Sequence, residues 1–145
     1  MTMYKNIIIA MDGSENAKKA LDRAVVVAKM NKSKLYIVNI IDTRTWANIE
    51  AHNAETLQQE AEVFSQSLMD SYNEAELADI EDVNIIVEAG SPRTMITHEI
   101  SRRVNADLII CGASGLSKTA RFLLGSVSEN IVRTAECDVL VVRHQ

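Results

Sequence analysis

The chain has 145 residues, one proline and five glycines, with 47% hydrophobic and 24% charged residues, which suits a single domain able to bury its own core. Fifteen basic against 20 acidic side chains leave a formal charge of −5, which argues against a nucleic-acid partner and requires any anionic ligand to be held by local donors. No apolar stretch approaches the ~20 residues that span a bilayer, Met1–Asn6 lacks the pattern of a signal peptide, and Cys111 and Cys137 form no C-x-x-C pair, so a cytoplasmic protein with reduced thiols is expected.

Ile7-Ile8-Ile9-Ala10 opens the chain as a first strand. A helix follows, with Ser14 as N-cap and Ala17, Ala20, Leu21, Ala24 and Ala28 on one face. Leu35–Ile40 is the second strand, and 41–53, with the lone Trp46, reads as a long irregular connection. Leu57, Ala61, Phe64, Leu68, Tyr72 and Ala75 trace the stripe of a long second helix. Val83–Val87 is the third strand; Ser91-Pro92 supplies N-cap and N1 for a helix packed through Ile96, Ile100 and Val104.

Leu108-Ile109-Ile110 is the fourth strand. Ser126-Val127-Ser128-Glu129 reads as a capping box that starts a fourth helix, and Val139–Val142 is the fifth strand. The strands are apolar without alternation, as parallel strands covered on both faces must be. The order β-α-β-α-β-α-β-α-β predicts one doubly wound α/β domain over 1–145, with helices on both faces of a five-stranded parallel sheet.

In such sheets a ligand lies beyond the carboxyl ends of the strands, where their order reverses. At that edge the chain reads Gly112-Ala113-Ser114-Gly115, nine residues, then Gly125-Ser126. This is neither a P-loop nor a dinucleotide fingerprint. Glycine leaves no Cβ to keep a phosphate away and permits φ > 0, and main-chain amides at a helix start surround anions. Each amide on a charged oxygen contributes ~1.5–3 kcal/mol, and the helix dipole up to ~1 kcal/mol.

Several residues here have two readings. Ser126 is explained by the capping box or by an anion, and Ser128 donates its hydroxyl to the same anion or is a first-turn serine. Lys118 and Arg121 fold over phosphates or are solvated. Asp12 accepts from ribose hydroxyls, holds a divalent cation, or is a turn residue before Gly13. Ile40 offers main-chain groups to a flat base, or is strand core. His52, His98 and His144 show no metal spacing, no G-x-S-x-G elbow exists, and no general base faces the phosphate end; no catalytic residue is assigned.

Gly112, Gly115, Gly125 and Ser126 match G-x2-G-x9-G-[ST] at full spacing, and with Ile7–Ser14 and Cys137–Val142 the chain resembles the ATP-binding branch of the universal stress protein family from about Tyr4 to Arg143. The resemblance implies a sheet of order 3-2-1-4-5 with ATP between strands one and four. It places Ala10, Met11, Asp12, Ile40, Cys111 and Gly112 near base and ribose, and Ser114, Gly115, Gly125, Ser126, Val127 and Ser128 along the phosphates. Ser114 departs from the histidine common in ATP-binding relatives. Magnesium or another divalent cation at Asp12 is an open expectation.

The resemblance also implies a homodimer through Val139, Leu140, Val141 and Val142. The expectation is therefore a nucleotide-dependent stress or signalling protein that is not an enzyme and whose nucleotide occupancy is read by another protein. The rivals are a slow ATPase, or other nucleotide-using enzyme, and a dimeric adaptor whose glycines are structural.

Overall fold

The computed structural model describes residues 3–11, 15–42, 51–113 and 125–143. Five strands, β1 (Asn6–Met11), β2 (Lys34–Asp42), β3 (Asp82–Gly90), β4 (Leu108–Gly112) and β5 (Asp138–Val142), form one sheet of order β3-β2-β1-β4-β5 with every pair parallel. Both the doubly wound architecture and the strand order implied by the resemblance are borne out. Strands outrun their apolar centres: β2 and β3 pair over nine residues each, from Lys34↔Asp82 to Asp42↔Gly90.

Side chains alternate between two apolar layers, as the pleat requires. Ile7, Ile9, Leu35, Ile37, Leu108 and Ile110 pack with Ala17, Ala20, Leu21, Ala24 and Ala28 of α1 (Glu15–Asn31) and with Met69 of α2 (Ala51–Asp70). Ile8, Val38, Ile40, Ile109 and Cys111 face the other way, against Ile96, Ile100 and Ile131. Burying each such isoleucine contributes about 1.5–3 kcal/mol. The apolar strands are thus continuous because both faces are covered.

Two helices differ from expectation. α2 ends at Asp70, and a separate short α3 (Glu74–Leu77) follows, so the stripe does not continue to Ala75, which is exposed. Asn73 is the reason: its side chain accepts from the Glu76 amide at 2.8 Å, and its own amide donates to the Glu76 carboxylate at 3.1 Å. Of the expected stripe, Leu68 and Tyr72 pack on the core, while Leu57, Ala61 and Phe64 are half-buried. α2 begins at Ala51 and β2 runs to Asp42, so both ends of the expected 41–53 connection are regular; Trp46 lies outside the described residues.

After β3, α4 (Pro92–Thr94) starts at Ser91 with Pro92 in its first turn, continues as a π-helical stretch, Met95–Ile100, and closes as α5 (Ser101–Val104). Buried Thr97 donates its hydroxyl to the Arg93 carbonyl at 2.8 Å, taking the acceptor that an α-helical turn would give its amide. Ile96, Ile100 and Val104 pack inward as expected. Asn105 at φ 53 ends the helix in the left-handed conformation it tolerates. α6 (Ser126–Thr134) buries Ile131 and leads into β5.

Candidate functional site: the split between the first and fourth strands

The two central strands are joined at one end and part at the other. At the amino ends, the Asp107 carboxylate accepts from the Lys5 and Asn6 amides at 2.8 and 3.1 Å, and the Asp107 amide donates to the Asn6 carbonyl at 3.0 Å. The β1–β4 register then runs from Ile7↔Leu108 to Ile9↔Ile110. Beyond it, Ala10 and Met11 stay paired with Val38 and Asn39 of β2, while Cys111 and Gly112 stay paired with Val141 and Val142 of β5. The sheet therefore opens at its carboxyl edge where the strand order reverses, the location physical reasoning assigns to a ligand.

Met11 and Ile40 are 5% and 8% exposed and point into opposite core layers, so main chain is what they offer at this edge. Ala10 is half-buried beside them. Across the opening, Cys111 lies buried, its thiol pushed up to about 11 by desolvation against a smaller opposing effect of the Ser128 hydroxyl. It is a neutral thiol at physiological pH and a poor nucleophile.

α6 begins at this same edge. Its N-cap is Gly125, at φ −62 and ψ 160 with no side-chain cap, which corrects the capping box expected at Ser126. Ser126 is already helical and exposed, and Glu129 instead pairs with Arg133 one turn on at 2.6 Å. The Gly125 backbone is one any residue adopts, so a positive φ is not why glycine stands there.

The Glu129 amide is bonded to the Gly125 carbonyl at 2.9 Å, but helix geometry leaves the amides of Ser126, Val127 and Ser128 without intrahelical acceptors. Not every amide of the motif is free. Gly125 donates to the Ala113 carbonyl at 2.8 Å, and Ala113 to the Val142 carbonyl at 2.9 Å. The Ser128 side chain, 7% exposed, turns inward and donates its hydroxyl to the Gly112 carbonyl.

The structure thus brings Ala10, Met11, Ile40, Cys111, Gly112, Gly125, Ser126, Val127 and Ser128 to one edge. Asp12, Ser114, Gly115, Lys118 and Arg121 lie outside the described residues, as do Ser14 and His144. Ala113, which uses both its amide and its carbonyl to tie β5 to the start of α6, was not legible beforehand, because alanine carries no chemistry of its own. Among the described residues no group of three His, Cys, Asp or Glu side chains has metal-binding geometry, and no helix is long and apolar enough to cross a membrane.

A family model described as the universal stress protein family matches residues 3–143. Staphylococcus aureus strains USA300 and NCTC 8325 carry proteins named as universal stress proteins that are 49% identical over 144 residues, spanning 99% of this chain and 86% of theirs. Among solved structures, hypothetical protein MJ0577 superposes with a TM-score of 0.82 at 28% identity over 99% of both chains. A universal stress protein in complex with cAMP does so with a TM-score of 0.69 at 29% identity over 96% of both. Universal stress protein UspA from Lactobacillus plantarum, at 22% identity with a TM-score of 0.77 over 99% of this chain and 100% of its own, shares the fold. The chain belongs to the universal stress protein family.

Proposed function

We propose that this member of the universal stress protein family binds an adenine nucleotide, ATP foremost, in the split between β1 and β4, and that its occupancy is read by another protein. The observation that carries the reading is the start of α6 at the open edge of the sheet, where the N-cap Gly125 has no side chain to give and helix geometry leaves the Ser126, Val127 and Ser128 amides without intrahelical acceptors. The dipole of α6 favours negative charge at that end. A relative in complex with cAMP supports an adenine nucleotide as the ligand class.

The base would meet main chain at Ile40 and Met11, the ribose Asp12 and Gly112, and the phosphates Ser114, Gly115 and the first turn of α6. A divalent cation accompanying the phosphates would take Asp12. The reading is of a binding protein and not an efficient enzyme, because the thiol at the opening is neutral and the sequence offers no evident general base for the phosphate end. We place it in the cytoplasm as a homodimer joined through Val139–Val142, an apolar edge strand whose residues Val139, Leu140 and Val141 are half-buried in the monomer.

Mass spectrometry of gently purified protein is expected to find ATP or ADP, and titration calorimetry to show binding that Gly115→Val abolishes while the fold persists. Protein that arrives empty and gives no heat with ATP, ADP or AMP overturns the reading. Single-turnover measurement with labelled ATP is expected to show at most slow hydrolysis; fast turnover by pure protein overturns the non-enzymatic part. Sedimentation is expected to report a dimer, and a monomer at all concentrations would remove Val139–Val142 as the interface.

A further inference from the structure

Ser128 is the third residue of α6; it is a polar residue only 7% exposed, and its hydroxyl donates to the carbonyl of Gly112, the last residue of β4. Two further bonds act on the same junction: Gly125 to Ala113 at 2.8 Å and Ala113 to Val142 at 2.9 Å. The start of α6 is therefore tied to the strand end at its cap by main chain and three residues later by a side chain. Buried Ile131 seats the later part of α6 on the core, and the second tie acts on the first turn, where the leftover amides lie.

The bond also changes the electrostatics. A carbonyl oxygen at a strand end carries partial negative charge and disfavours a nearby anion. Once engaged by a hydroxyl it is satisfied, as a buried polar group must be. Preorganised donors bind better than donors that must first be ordered.

We infer that Ser128 is a positioning residue for phosphates: by holding the first turn of α6 on the Gly112 carbonyl, its hydroxyl aims the helix amides at the ligand instead of contacting the ligand itself. The inference rests on the nucleotide reading above. It makes affinity depend on Ser128 in proportion to the number of phosphates.

The test compares ATP, ADP, AMP and adenosine by calorimetry on the wild type, Ser128→Ala and Ser128→Thr, with amide hydrogen exchange on the same unliganded proteins. Ser128→Ala is expected to weaken ATP about tenfold and adenosine by less than about twofold, with ADP and AMP graded between, the size set by one lost hydrogen bond. Ser128→Thr, which keeps the hydroxyl, is expected to restore most of the ATP affinity. Without ligand, the Gly125 and Glu129 amides of Ser128→Ala are expected to exchange faster while those of Ile7–Ile9 do not change. Equal weakening of adenosine and ATP, unchanged ATP affinity, or unchanged exchange at Gly125 and Glu129 overturns the inference and leaves the nucleotide reading intact. A wild type that binds none of the four overturns both.

Discussion

Gly90 shows how much a single missing side chain can matter away from the glycine motif. A Cβ there would lie 2.8 Å from Cγ and 3.1 Å from Sδ of Met95, in the half-buried first turn of the π-helical stretch. The obstacle is a flexible thioether, so Gly90→Ala is expected to cost about 1 kcal/mol, the low end of overpacking. In a Met95→Ala background the same substitution should be nearly neutral, and urea unfolding of the four proteins in that cycle measures the coupling. Equal penalties in both backgrounds would show that the side chain is not the cause. At Cys111, burial outweighs the nearby hydroxyl and keeps the thiol inert.

Between elements, charged pairs hold what the apolar layers leave loose. Glu88, near the end of edge strand β3, takes the Arg103 guanidinium of α5 through both carboxylate oxygens, one at 3.1 Å, while Glu99 approaches the same guanidinium at 3.4 Å. The hydrogen bond from Arg103 holds the Glu88 carboxyl below its ordinary value of 4.5; burial pushes the other way, and the Arg103 charge adds a smaller lowering. A carboxyl lowered in the folded state stabilises the fold above its unfolded value and loses that contribution as pH falls through the folded one. Glu136, paired with Arg102 and His98, acts in the same direction. Stability is therefore expected to fall on acidification below pH 4.5, and Glu88→Gln should flatten part of that fall; an unchanged acid profile in the variant would remove the pair from the account. A Glu and an Arg fifteen residues apart announce no pairing in the sequence, since the intervening helix decides where Arg103 lands.

At the scale of the whole molecule, the site exists because the central strands are fastened at one end and released at the other. Asp107 supplies much of the fastening, so Asp107→Ala, which leaves the Lys5 and Asn6 amides without that acceptor, is expected to cost about 1–3 kcal/mol in denaturant unfolding. A loss below the error of that measurement would show the β1–β4 ladder sufficient by itself. Apolar runs without alternation, and glycines and a helix start after the fourth of them, were enough to predict a two-sided parallel sheet and the edge where a ligand belongs, because pleat and helix periodicity act over a few neighbouring residues. The same local logic placed the cap of α6 on Ser126, one residue late, and carried the second helix through Asn73; a cap depends on a hydrogen bond's final geometry, and the residue types fit both registers. That the Gly125 and Ala113 amides are spent within the fold, and that the Ser128 hydroxyl goes to the Gly112 carbonyl, depended on contacts between residues twelve to twenty-nine positions apart. Local chemistry therefore determined the kind of edge the chain builds, and three-dimensional packing decided which donors at that edge are spent within the fold, because a donor's partner is set by what folding brings near it.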